Sequence, residues 1–167
     1  MECYWFIDFL NKFRNYRRYI DLVTALENCL PYTCPEFIKV RVCIVGEYTA
    51  DIEVYIDFDE WNRIHAPDCK WLCKPMSCYR HCIMTEEGKW KCKKVCVKRV
   101  VSKCYIRCMK EAYNEAIWWL RKITNRIEKS LWKFGIIYEM RYDNEKRPTK
   151  AKFRVMTTRV EDRWMLN

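Results

Sequence analysis

Apolar residues recur at three- and four-residue steps near the start of the chain. Phe6, Phe9, Leu10, Phe13, Tyr16, Ile20 and Val23 make one stripe, which predicts a helix ended by Pro31 and Pro35. The period then changes to two. Between Phe37 and Val45, Lys39, Arg41 and Cys43 alternate with Ile38, Val40, Val42 and Ile44. Between Asp51 and Asp59, five polar or aromatic positions alternate with Ile52, Val54, Ile56 and Phe58. Each stretch reads as a strand with one buried face, and Gly46 lies in their connection. Folded about that turn, the pair is expected to set Lys39 opposite Asp57.

A long helix is expected up to Phe134. Ile106, Met109, Tyr113, Ile117, Leu120, Ile127 and Leu131 fall on one side of it, with Lys122, Arg126, Lys129 and Lys133 on the other. Gly135 follows, where a left-handed residue is needed to close the helix. A second hairpin then pairs Ile136, Tyr138, Met140 and Tyr142 with Ala151, Phe153 and Val155. The element order is helix–strand–strand, insertion, helix–strand–strand. This predicts one α+β domain over residues 1–167, a four-stranded antiparallel sheet with both helices on one face. The order resembles a circular permutation of the ferredoxin-like plan, βαββαβ.

The insertion, residues 66–103, is rich in cysteine. Eight of the chain's twelve cysteines lie between positions 69 and 108 as four C-x-x-x-C pairs. Partners across an antiparallel hairpin have a nearly constant sum of residue numbers. Cys69 with Cys108 and Cys73 with Cys104 both sum to 177; Cys78 with Cys96 and Cys82 with Cys92 both sum to 174. A turn near Glu86-Glu87-Gly88 would align all four as rungs. The offset of three is accounted for if an extended arm containing Pro75 faces a mostly helical arm. Zinc is an alternative, with His81 beside Cys82 as a nitrogen ligand, although no pair has the two-residue spacer of the commonest zinc knuckles. Reduced core cysteines are a third reading. Cys3, Cys29, Cys34 and Cys43 find no partner by this arithmetic, apart from a local Cys29–Cys34 bridge around Pro31.

Composition changes the picture in three ways. Three glycines in 167 residues exclude a glycine-rich phosphate loop. Glutamine is absent and charged residues are abundant. Together with many cysteines and no basic, cleavable leader at Met1-Glu2-Cys3-Tyr4-Trp5, this resembles the composition of proteins of hyperthermophilic archaea and their viruses. The expected location is the cytoplasm of such an organism, or a virion. No apolar run is long enough to span a membrane.

The third is charge: 32 Lys and Arg against 22 Asp and Glu give +10, which favours polyanionic partners. The candidate nucleic-acid contacts are Lys91, Lys93, Lys94, Lys98, Arg99, Lys122, Arg126, Lys129 and Lys133, with Trp90 and Trp118 to stack on bases. The leading expectation is a non-enzymatic structural protein that holds DNA or RNA by its phosphates. A virion or interaction protein without nucleic acid is the alternative. A metal-dependent nuclease is another, with Asp51, Glu53, Asp57 and Asp59 on one strand face converging on Mg²⁺. No nucleophile motif surrounds His65 or His81. The separation of acidic and basic stretches also suggests self-association.

Overall fold

The alternating stretches become one antiparallel sheet in the computed structural model, which describes residues 1–29, 34–74, 76–98 and 101–164. The chain divides into two compact units, Met1–Trp61 with Asn114–Asn167, and Asn62–Tyr113. The first unit holds β1 (Glu2–Trp5), α1 (Phe6–Phe13), α2 (Ile20–Cys29), β2 (Ile38–Ile44) and β3 (Thr49–Ile56). Later in the chain it adds β6 (Ile137–Tyr142) and β7 (Lys150–Met156). Two helices cross its boundaries, α3 (Phe58–Leu72) and α4 (Ser102–Lys133).

The class is α+β, and the sheet has five strands in the order β1-β2-β3-β7-β6, all antiparallel. Without β1, the order is first, second, fourth, third, as the permuted ferredoxin-like plan requires. The expected four strands therefore gain a fifth. β1 escapes sequence reading because it is four residues long and alternates weakly, with Glu2, Cys3 and Trp5 all exposed. Pairing with β2 fixes it: Cys3 lies opposite Cys43, and the two form a disulfide.

One sheet face is apolar. Val40, Val42, Ala50, Ile52, Val54, Ala151, Phe153 and Val155 are buried, together with Leu22 and Leu26 of α2 and Leu120, Ile123, Ile127 and Leu131 of α4. Each fully buried Leu, Ile or Phe contributes roughly 1.5–3 kcal/mol. Ser130 Oγ donates to the Ala25 carbonyl at 2.7 Å and ties α4 to α2. α4 closes as expected at Gly135, whose φ is +65°. Gly135 N donates to Trp132 O and Ile136 N to Leu131 O, which satisfies two helix-end carbonyls.

Three local expectations are corrected. The first helix is two helices joined by a 3-10 turn at Arg17–Tyr19, because Tyr16 is extended (φ −93°, ψ 118°). The break resets the stripe: Tyr16 and Ile20 are exposed, while Asp21, Leu22, Ala25 and Leu26 are buried. Phe13 anchors the bend, its ring 4.5 Å from that of Tyr19 and 5.3 Å from that of Tyr4. Lys39 lies opposite Tyr55, two residues short of the expected Asp57. A register shift between Ile137 and Glu139 turns Tyr138 outward.

The strand expected to reach Asp59 stops at Ile56, and α3 begins. Asp57 Oδ1 accepts from the amides of Asp59 (3.1 Å) and Glu60 (3.2 Å), an N-terminal cap. Pro67 lies inside this helix. On α4, the apolar stripe is not uniformly buried: Ile106 is exposed, and full burial starts at Ala116.

The second unit contains the rest of α3, β4 (Met76–Met84), β5 (Trp90–Lys98) and the first turns of α4. All twelve cysteines are described, and ten are paired. The pairs include Cys69–Cys108, Cys73–Cys104, Cys78–Cys96 and Cys82–Cys92, as the number sums imply. The offset has a different origin from the expected one. Cys69–Cys108 joins α3 to α4, Cys73–Cys104 joins the residue just past α3 to α4, and the inner two cross the β4–β5 hairpin. Pro75 lies outside the described residues. The thiolates a zinc site would need are thus consumed in disulfides, and His81 points to the opposite hairpin face from Cys82. Cys29 and Cys34 are free thiols and do not bridge. Each sulfur faces a nearby carbonyl, Leu26 O at 3.5 Å and Ile38 O at 4.0 Å.

Exposure separates the disulfides. Cys69 and Cys73 are 2% exposed, whereas Cys78, Cys92 and Cys96 are open to solvent. We predict that brief treatment with a phosphine reductant followed by alkylation labels the hairpin cysteines before Cys69 and Cys73. Simultaneous labelling of all four bonds on a mass-mapping time course would contradict the burial difference.

Candidate nucleic-acid interface

Net charge is concentrated in one unit. Asn62–Tyr113 holds thirteen Lys and Arg against four Asp and Glu, which is +9 of the chain's +10. The remaining 115 residues are nearly balanced.

Within that unit, the hairpin positions the charge. Its turn runs from Thr85 to Lys89: Thr85 N donates to Lys89 O at 2.8 Å and Gly88 N to Thr85 O at 2.9 Å. Gly88 supplies the left-handed residue that such a three-residue loop needs, at φ +76°. Beyond the turn, each strand is nine residues long and the register is unbroken. Arg80 lies opposite Lys94, His81 opposite Lys93 and Ile83 opposite Lys91. These side chains are all exposed. Like charges directly opposite one another destabilise a strand pair, and a two-stranded hairpin alone is marginal in water. Cys78–Cys96 and Cys82–Cys92 bracket the opposed cations and hold the pair together.

Alternation sends the cations both ways. Arg80 and Lys94 share the face of the two disulfides, with Met84 and Trp90; Lys91 and Lys93 share the other, with Tyr79, His81 and Ile83. Trp90 is 65% exposed beside the turn. The acids nearby, Glu86 and Glu87, sit in the turn itself. On the opening turns of α4, Lys103, Arg107 and Lys110 are also exposed at helical spacing. Lys98 ends β5, and Arg99 lies outside the described residues.

The second candidate group lies in the other unit and is described separately. Lys122, Arg126, Lys129 and Lys133 follow one another along α4, and the last three are exposed. Lys122 is half-buried, its Nζ 4.7 Å from the Trp118 ring centre and 5.0 Å from that of Trp119. Trp118 is 53% exposed and packs edge-on against Trp119 at 4.9 Å.

The acidic stretch does not form the expected carboxylate cluster. Asp51 and Glu53 project from the helix-free sheet face, yet are only 3% and 7% exposed. Arg154 Nε donates to Asp51 Oδ1 at 2.9 Å, and Lys152 lies 3.4 Å from its other oxygen. Arg41 donates to Glu53, with Lys150 at 3.2 Å. Asp57 caps α3 and Asp59 lies within that helix, so the four carboxylates share no face. Among the described residues, no group of three or more His, Cys, Asp or Glu is arranged to hold a metal ion. Sequence reading missed these partners because Lys150, Lys152 and Arg154 are about a hundred residues away and come alongside only through β3–β7 pairing. Asp51 and Glu53 are therefore satisfied within the chain.

Neither free thiol resembles a nucleophile: burial pushes Cys29 up to about 12 and raises Cys34 as well. Among the described residues no helix is long and apolar enough to cross a membrane. The chain matches no known family model, no curated protein and no solved structure.

The sheet-face ion pairs give a pH dependence. Hydrogen bonding from Arg154 holds Asp51 below its ordinary value of 3.8. Burial raises Glu53, but Arg41 and Lys150 outweigh it and hold it below 4.5. Depressed carboxylates contribute stability that is complete above those ordinary values and is lost as pH falls through the folded ones. We predict that stability, read from urea unfolding, is flat at mildly acidic pH and declines below about pH 4.5. Asp51→Asn should remove about 2 kcal/mol near neutrality and make the acid decline shallower. An unchanged acid limb would show that the pair does not govern it.

Proposed function

We propose that the protein binds nucleic acid through backbone phosphates, using the stapled β4–β5 hairpin as its main contact. The observation that carries this is the cluster of exposed cations on the hairpin, with Arg80 directly opposite Lys94 and Lys91 and Lys93 beside them, in the unit that holds +9 of the net charge. The hairpin disfavours its own charge pattern, and an anionic partner relieves that repulsion. Lys91, Lys93 and Lys94 supply charge, with Lys98 and Arg99 continuing the sequence run. Trp90 offers an exposed ring for stacking. Lys122, Arg126, Lys129, Lys133 and Trp118 form a secondary group, weaker because Lys122 is engaged with two indoles and its unit is nearly neutral. The role is structural and non-catalytic. Oxidised intramolecular staples, missing glutamine and abundant charge fit the cytoplasm or a virion of a hyperthermophilic archaeal system.

Fluorescence anisotropy with a short labelled DNA duplex tests the reading. With about four phosphates engaged, affinity should fall roughly a hundredfold between about 50 and about 200 mM salt. Lys93→Glu with Lys94→Glu should weaken binding at least about tenfold, and Lys129→Glu less. Failure to bind DNA or RNA at the lower salt would sink the proposal.

A further inference from the structure

The preceding reading leaves the form of nucleic acid open, and the hairpin's geometry narrows it. A protein that lies on a single strand or a flat anionic surface needs cations on one face only. This hairpin has them on both, Arg80 and Lys94 on one and Lys91 and Lys93 on the other. Both faces are solvent-exposed: Tyr79, Arg80, His81 and Ile83 are open in β4, and Lys91 to Lys94 in β5. Toward the turn both sides of the ribbon are thus open to solvent, while Val95 and Val97, farther from it, are half-buried.

From this, and resting on the polyanion reading above, we infer that the partner is a B-form DNA duplex and that the hairpin enters its major groove between the two phosphate walls. The dimensions agree. A strand pair with side chains is about 10 Å thick, the spacing of packed sheets, and the B-form major groove is about 12 Å wide and admits a two-stranded ribbon. Nine residues extend for about 30 Å, nearly one helical turn of DNA. Arg80 and Lys94 then face one wall and Lys91 and Lys93 the other. Trp90, beside the turn, enters with the ribbon, as do Glu86 and Glu87, which are acceptors suited to cytosine amino groups on the groove floor. A-form RNA does not offer this fit, because its major groove is deep and narrow. Single strands have no groove.

The test compares one sequence as a DNA duplex, an RNA duplex and a single DNA strand at low salt. The DNA duplex should bind at least about tenfold more tightly than either other form. Arg80→Glu with Lys94→Glu, and separately Lys91→Glu with Lys93→Glu, should each weaken duplex binding about tenfold. Peptide mapping of Cys78–Cys96 and Cys82–Cys92 in both variants separates lost contacts from misfolding. A dye that occupies the major groove should displace the protein, while a minor-groove ligand should not. Equal binding of all three forms, or sensitivity to only one face, overturns groove entry and leaves phosphate binding standing. Binding of none overturns both.

Discussion

Electrostatic repulsion across the β4–β5 hairpin is the constraint around which the second unit is built. Arg80 against Lys94 works against strand pairing, and among the described side chains of the two strands only Cys82, Val95 and Val97 are even half-buried. Covalent closure replaces the missing core. A single disulfide closing a loop of this size contributes on the order of 3 kcal/mol by restricting the unfolded chain, against a few tenths to about 1 kcal/mol for each unfavourable cross-strand pair. The staples win, and the charges can remain exposed. A hydrophobically stabilised hairpin would have to surrender one face to burial.

The first unit solves the opposite problem. It has an ordinary core of aliphatic residues and Phe153 under its helices, so it can neutralise charge locally. Asp51 and Glu53 each take two cations on the helix-free face, and the long side chains of Arg41, Lys150, Lys152 and Arg154 shield them from water. These cations are half-exposed and spoken for, which is why a simple count of basic residues along β7 overstates what it can offer a polyanion. Excess charge therefore marks the unit without a core, not the unit with one.

Much of this was legible because periodicity and pairing arithmetic are local or nearly so. The alternation of Val40, Val42, Ile52 and Val54 is strong, and constant number sums need only an antiparallel arrangement. The same spacing concealed what kind of element carries each disulfide. Cysteines four apart lie on one side of a helix and also on one side of a strand, so Cys69 and Cys73 look like Cys78 and Cys82. α3 did have a signal, Asp57 followed three residues later by Glu60, a capping pattern that the preceding alternation masked. β1 and the ion pairs of Asp51 had none, since both depend on strand neighbours distant in sequence. The candidate contacts in the hairpin were readable as residues, but their division between two faces required the register.

The four disulfides of the second unit are strictly nested: Cys82–Cys92 lies within Cys78–Cys96, which lies within Cys73–Cys104 and then Cys69–Cys108. No chain need thread through a closed ring. Starting at the Thr85–Lys89 turn, each closure shortens the free segment that the next must span, so the entropy of oxidation is divided into small steps. Oxidative assembly can thus proceed as a zipper from the tip, with native neighbours at higher effective concentration than wrong ones. A segment dense in thiols gains a route to one pairing among many without needing a core to guide it.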